Sequence, residues 1–170
     1  MGPWTVPYGI AVVLLVVAGA AKVVEPRDTA GALARSGWKV GPTVVRVGAA
    51  FELGLGVAAI GSGTRTAAVV VALSYLGFAG FVTQALVRRL PVGSCGCFGR
   101  VDTPPSGWHV AVNLGCAVAA TGAALAGPAP WLGVSEVGTA TAVASVVLVL
   151  VGTALAAALL VLVPRAGARR

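Results

Sequence analysis

Five long apolar stretches, separated by short segments that hold nearly all the charge, set the pattern of this chain. They run from about Tyr8 to Val24, Thr43 to Ile60, Thr66 to Val87, Trp108 to Leu125 and Val137 to Val163. Each is continuously apolar rather than alternating, and each is long enough for an α-helix, rising ~1.5 Å per residue, to cross a hydrocarbon core. The period-two alternation of an outer-membrane barrel is absent. The pattern predicts an all-α integral membrane protein, a small bundle of about five transmembrane helices forming one membrane domain over residues 1–170. The last stretch exceeds one crossing and is expected to tilt or to extend past the lipid. No basic region precedes the first stretch, and no clear small-residue cleavage site ends it before Lys22, so it reads as a retained helix rather than a signal peptide.

The breaks are marked by Pro26, the turn Gly61 to Arg65, Pro104-Pro105 and Gly127-Pro128-Ala129-Pro130. The segment Arg27 to Pro42 reads as a polar loop carrying Arg27, Asp28, Arg35 and Lys39, with Trp38 as an interfacial anchor. Charge then gives an orientation. With the N-terminus outside, the outer segments hold a single basic residue, Arg65. The inner ones hold Arg27, Arg35 and Lys39, then Arg88, Arg89 and Arg100, then Arg165, Arg169 and Arg170. Positive residues favour the cytoplasmic side, so the N-terminus is expected outside the plasma membrane, and the C-terminus and the 88–107 loop inside.

Composition agrees. The chain is 58% hydrophobic and 10% charged, with a mean hydropathy of +0.95, against roughly a quarter charged in soluble domains. Twenty-four glycines suit close helix packing in lipid. The net charge of +7 does not point to nucleic acid, because the basic residues sit at segment ends and form no basic face with interleaved aromatics. The Ala/Val/Gly/Arg-rich usage resembles that of a GC-rich bacterium.

Candidate chemistry lies in three places. The first is Cys95-Gly96-Cys97, framed by Gly93 and Gly99 in the arginine-flanked loop. Thiols that cycle between dithiol and disulfide must be close, reachable and able to form thiolate. One intervening glycine supplies closeness and a bendable backbone, and Arg88, Arg89, Arg100 and His109 supply nearby cations. Two thiolates also suit copper(I) or zinc, but a closed zinc site needs four ligands, so no metal is expected. Two unrelated loop cysteines are the bland alternative.

The second is Glu52, an ionisable group in mid-membrane and therefore costly unless paired or functional. It shares a helix face with Gly48 and Gly56, a stripe expected to face other helices. Arg46 lies six residues away on another face, so Lys22 of the first stretch is the better candidate partner. A proton acceptor, part of a quinone or substrate site, and a purely structural pair all remain open for it. In the following stretch Ser74, Gly77, Phe81 and Gln84 fall on one side.

The third is the polar stripe His109, Asn113 and Cys116, at i, i+4 and i+7. His109, at a helix start, reads first as an interfacial residue. Cys116 reads as a small packing residue or as a resolving thiol, and the latter would need the loop to fold inward by about 10 Å. No phosphate-cradling loop, paired acidic site, serine triad or haem-attachment motif is present, so hydrolase and ATPase chemistry have no support and no nucleotide is expected.

Together, Ala18-Gly19-Ala20-Ala21-Lys22 with Glu25-Pro26, Arg46 with Glu52-Leu53-Gly54-Leu55-Gly56, Cys95-Gly96-Cys97-Phe98-Gly99, and Trp108 with Asn113 resemble the MauE family of methylamine utilisation proteins. That family belongs to a wider MauE/DoxX group of redox-associated membrane proteins. The resemblance covers residues 8–126, leaving the stretch 137–163 as an addition to a four-helix core. It implies a plasma-membrane bundle in which Cys95 and Cys97 match the family's thiol pair. Lys22, Arg46 and Glu52 match its polar positions. MauE proteins are implicated in maturing a disulfide-rich, quinone-bearing amine dehydrogenase subunit. The expected function is therefore thiol–disulfide redox support of a partner protein, with a thioredoxin-like or disulfide-containing client and membrane quinone as a second electron partner. A non-enzymatic assembly factor is the alternative, followed by a small transporter or metal carrier, for which one buried acid and no inverted repeat make a thin pathway. One tension follows from the charges: disulfide formation favours the outer compartment, whereas the arginines put the thiol loop inside.

Overall fold

A computed structural model describes residues 2–90, 104–127 and 138–167. The described residues form six helices and no strand: α1 (Thr5–Val24), α2 (Arg27–Arg35), α3 (Pro42–Ser62), α4 (Arg65–Val87), α5 (Gly107–Ala126) and α6 (Thr139–Gly167). All but α2 are long and apolar enough to cross a membrane. They correspond to the five apolar stretches, each boundary moving by a few residues.

The helix α2 is a difference from the sequence reading, which treats Arg27 to Pro42 as loop. Nine residues with a negative mean hydropathy carry no membrane-span signal, and a helix this short is marginal in isolation. Its order comes from docking. Ala30 and Ala32 are buried, and Ala32 packs with Ala85 of α4 and with Leu90 just beyond it. Asp28 in the first turn and Arg35 in the last complement the helix dipole.

The helix α1 is the centre of the bundle. It packs against α3, α5 and α6, while α4 packs mainly on α5. Its buried face, Tyr8, Ala11, Val12, Leu14 and Leu15, meets Ala59 of α3, Val71 and Tyr75 of α4, and Ala117 and Ala120 of α5. The alanines keep backbones close, which is how helices associate where lipid removes the hydrophobic drive between them. The Tyr75 hydroxyl donates to the Ala11 carbonyl at 2.6 Å, tying α4 to α1 across the core. The large exposed residues, such as Phe51, Leu73, Leu148 and Leu155, face outward, as expected where the solvent is hydrocarbon.

Between α3 and α4 the chain reverses at Gly63-Thr64. Gly63 adopts the left-handed conformation (φ 53°, ψ 31°), and the Thr64 hydroxyl accepts from the Ala67 amide at 3.3 Å to cap α4. Near this turn Ala59 and Ala68 are both fully buried in the core. Toward their opposite ends a cleft opens between the two helices. By helix direction, that end also carries the C-terminus of α1, all of α2, the N-terminus of α5 and the C-terminus of α6.

The small-residue face of α3 divides its labour differently from the expectation. Gly56 lies against Val12 and Val16 of α1, but Gly48 has nothing near its Cα hydrogen and lines the open gap. The buried residues of α3 are Val45, Ala49, Gly56 and Ala59, and α3 meets α1 closely at Ala49 and Gly56.

Candidate functional site

Lysine and glutamate are both costly in a bilayer unless paired. Here Lys22, near the C-terminal end of α1, and Glu52, near the middle of α3, form a direct ion pair and hydrogen bond through Nζ and Oε2. Their side chains are 9% and 17% exposed. Antiparallel packing of α1 on α3 brings them together across thirty residues of sequence, fulfilling the pairing anticipated from the sequence. The Lys22 ammonium also sits over the Phe78 ring of α4, 4.8 Å from its centroid. This cation–π contact spreads the charge onto a third helix. Phe78 is in turn held edge-on by Tyr75, with ring centroids 5.8 Å apart at 87°. Neither aromatic is singled out by the sequence reading. The available signal was the three-residue spacing of Tyr75, Phe78 and Phe81, which puts half of the chain's Phe and Tyr residues in this one segment.

Arg46 is not part of this pair. Its Nε donates to the Val23 carbonyl at 3.0 Å, satisfying an acceptor in the last turn of α1 that has no helical partner.

The pair forms the floor of a cleft of about 470 Å³ between α3 and α4, roofed by α2 and the segment after it. Apolar walls come from Leu33, Trp38, Val44 and Phe81, with Gln84 the polar residue contributed by α4. Gly77, Phe81 and Gln84 thus share the cleft, whereas Ser74 of the same predicted side turns its hydroxyl back to the Val70 carbonyl. Trp38, the expected interfacial anchor, is 61% exposed and lines this cleft.

On its other side Lys22 borders a second cavity of about 50 Å³, shared with Phe78, His109, Asn113 and Leu160 of α6. The α5 stripe is therefore an interior face. Asn113 Nδ2 donates to the His109 carbonyl at 2.6 Å, and the His109 ring Nδ1 lies 2.9 Å from Ser106 Oγ. At 1% exposure His109 is among the most buried side chains, which corrects the expectation of an interfacial residue. The cause is that α6 and α1 close over the start of α5. Cys116 lies in the main core, hydrogen-bonded to Tyr75. It has no disulfide partner among the described residues. Cys95 and Cys97 lie outside the described residues, as does Arg100. The chain leaves the described region after Leu90 and rejoins it at Pro104, both at the Lys22 end of the bundle. No group of three or more potential metal ligands occurs among the described residues.

The fold and this site define a class: a small multi-pass helical membrane protein with a lysine–glutamate pair under a cleft at one end of the bundle. The family model for methylamine utilisation protein MauE matches residues 2–126, and the chain belongs to that family. The match spans α1 to α5 and ends with α5, so α6 is an addition that packs onto α1 and α5. Comparison with curated proteins and with solved structures returns no match.

Proposed function

We propose that this protein is a membrane thiol–disulfide redox protein that supports the maturation or redox upkeep of a partner protein. The observation that carries the reading is the Cys95-Gly96-Cys97 pair, in a segment that begins and ends at the charged, cleft-bearing end of a MauE-family bundle. In the oxidising direction two thiols lose two protons and two electrons and form one S–S bond. In thiol exchange the same electrons pass to or from a disulfide of a thioredoxin-like or disulfide-containing client. The cations beside the segment, Arg88 and Arg89 at the end of α4, favour thiolate. The excess of arginine and lysine at this end supports a plasma-membrane orientation with the pair on the cytoplasmic side.

The test is mass-shift thiol labelling in membranes. Cys95 and Cys97 are expected to label as two free thiols after a reductant and to be protected together after a mild oxidant. A pair that stays fully reduced under oxidant would overturn the reading.

Membership of a methylamine utilisation family favours a second reading: a non-enzymatic membrane assembly factor of the methylamine utilisation type, with the pair as a structural clip. The double substitution Cys95→Ser/Cys97→Ser separates the two. A redox protein keeps its level in the membrane and loses support of its client. A clipped assembly factor falls in amount, while the surviving protein keeps its activity.

A further inference from the structure

The cleft over Lys22 and Glu52 is built for a ligand of a particular kind. Its walls are apolar and aromatic, and its polar groups are few and convergent, the ordinary anatomy of a small-molecule site. Two glycines, Gly48 and Gly77, face each other's helices across it, and a Cβ at either would meet no atom within 4 Å. The space between α3 and α4 is therefore not taken up by side chains. Both helices expose large apolar residues beside it, such as Val47 and Leu76, so a molecule dissolved in the bilayer reaches the cleft from the side.

The floor fixes the charge and the hydrogen bonding of that molecule. Lys22 and Glu52 neutralise each other. An anionic or cationic head placed on them would become a net buried charge, which is costly in a low-dielectric site. A neutral head fits. Lys22 gives one of its three N–H donors to Glu52 Oε2 and retains donor capacity. A carboxylate has about four lone-pair sites, so Glu52 keeps acceptor capacity beyond that bond. One floor thus offers a donor for a carbonyl and an acceptor for a hydroxyl. Phe78 and Phe81 supply flat aromatic surface beside it. Gln84 sits six residues beyond Phe78 along α4, about 9 Å further toward the α2 end of the cleft at 1.5 Å per residue. A ring with oxygens at opposite edges spans such a distance between two hydrogen-bonding groups.

The geometry points to a quinone/quinol site: the cleft binds the ring of a neutral, lipid-soluble quinone, one ring oxygen at Lys22 and Glu52 and the other toward Gln84. This names the electron partner of the thiol–disulfide reading and rests on that reading for its role, though not for binding itself. In balance, two thiols become one disulfide and release two electrons and two protons, and the quinone takes up both pairs to become the quinol. The oxidised ring accepts from Lys22, and the reduced ring donates to Glu52.

The test uses full-length protein in detergent micelles and a decyl-substituted benzoquinone. Trp38 lines the cleft, so binding is read as saturable quenching of tryptophan emission that is lost in Trp38→Phe. Gly77→Leu fills the cleft from a position where added side chain meets nothing, and should raise the apparent Kd at least tenfold with unchanged thermal stability. Gln84→Leu should raise it several-fold, and excess phosphatidylcholine should not displace the quinone. Unsaturable quenching, equal affinity in Gly77→Leu, or equal displacement by the phospholipid overturns the proposal, the last outcome marking the cleft as a lipid seat. Cys95→Ser/Cys97→Ser should bind as the natural protein does. Binding without any thiol cycling would remove the redox reading and leave the site. Thiol cycling without binding would remove the site alone.

Discussion

Replacing Glu52 with leucine is expected to destabilise the bundle by roughly 3–5 kcal/mol, because it leaves the Lys22 ammonium buried without its counter-charge. The cost is not the value of the ion pair itself. A pair withdrawn from solvent loses hydration at both members, and their attraction offsets that loss only while both are present. The double variant Lys22→Met/Glu52→Leu should therefore recover most of the stability lost by the single change. The Phe78 ring gives Lys22 about 0.5–2 kcal/mol of residual support, which sets a partial floor under the single variant. The measurement is a double-mutant cycle on thermal unfolding of the detergent-solubilised protein, followed by the monomer peak on size exclusion. Equal stability of Glu52→Leu and the natural protein would mean that Lys22 finds another partner or water once Glu52 is gone.

Gly19→Val should be nearly as damaging for a different reason. A Cβ at Gly19 would stand 2.8 Å from the backbone nitrogen of Leu53 and 3.1 Å from the carbonyl oxygen of Ala49. Both are main-chain atoms of α3, so no side chain can swing away and the two helices must separate. Overpacking of this kind costs typically about 1–3 kcal/mol. Here separation would also pull Lys22, three residues further along α1, from Glu52. The same change at Gly54, on the outward side of α3 where a Cβ meets nothing within 4 Å, should leave stability unchanged or slightly raised through better helix propensity. Unfolding midpoints of the two variants give the comparison, and an unshifted Gly19→Val would show that the α1–α3 contact is looser than this spacing requires.

These two residues mark how much of the site could be seen in the chain. A carboxylate in an apolar stretch demands a cation, and Lys22 was the one basic residue inside another span, so that pairing was legible from electrostatics. The Ala-Gly-Ala-Ala run before Lys22 signalled close packing, though not against which helix. Phe78 and Tyr75 gave no such demand. An aromatic in a membrane helix is ordinary until a neighbour's ammonium lies over its face. The nine residues of α2 were hidden because their order is borrowed from Ala85 and Leu90, residues about fifty positions away.

The sequence by itself determined the class of this protein, its five spans and the end of the bundle at which its charges gather. Each of these follows from the cost of placing a residue in hydrocarbon or water, and that cost is a property of the residue alone. The family match over residues 2–126 is of the same kind, being read along the chain. Only the tertiary structure decided that His109 lies inside, that Arg46 caps α1 rather than joining Glu52, and that α3 and α4 part to leave a cleft over the ion pair. Those outcomes depend on which helix faces which. Such pairing is set by close backbone approach at positions like Gly19 and Gly56, whose partners lie far away in sequence.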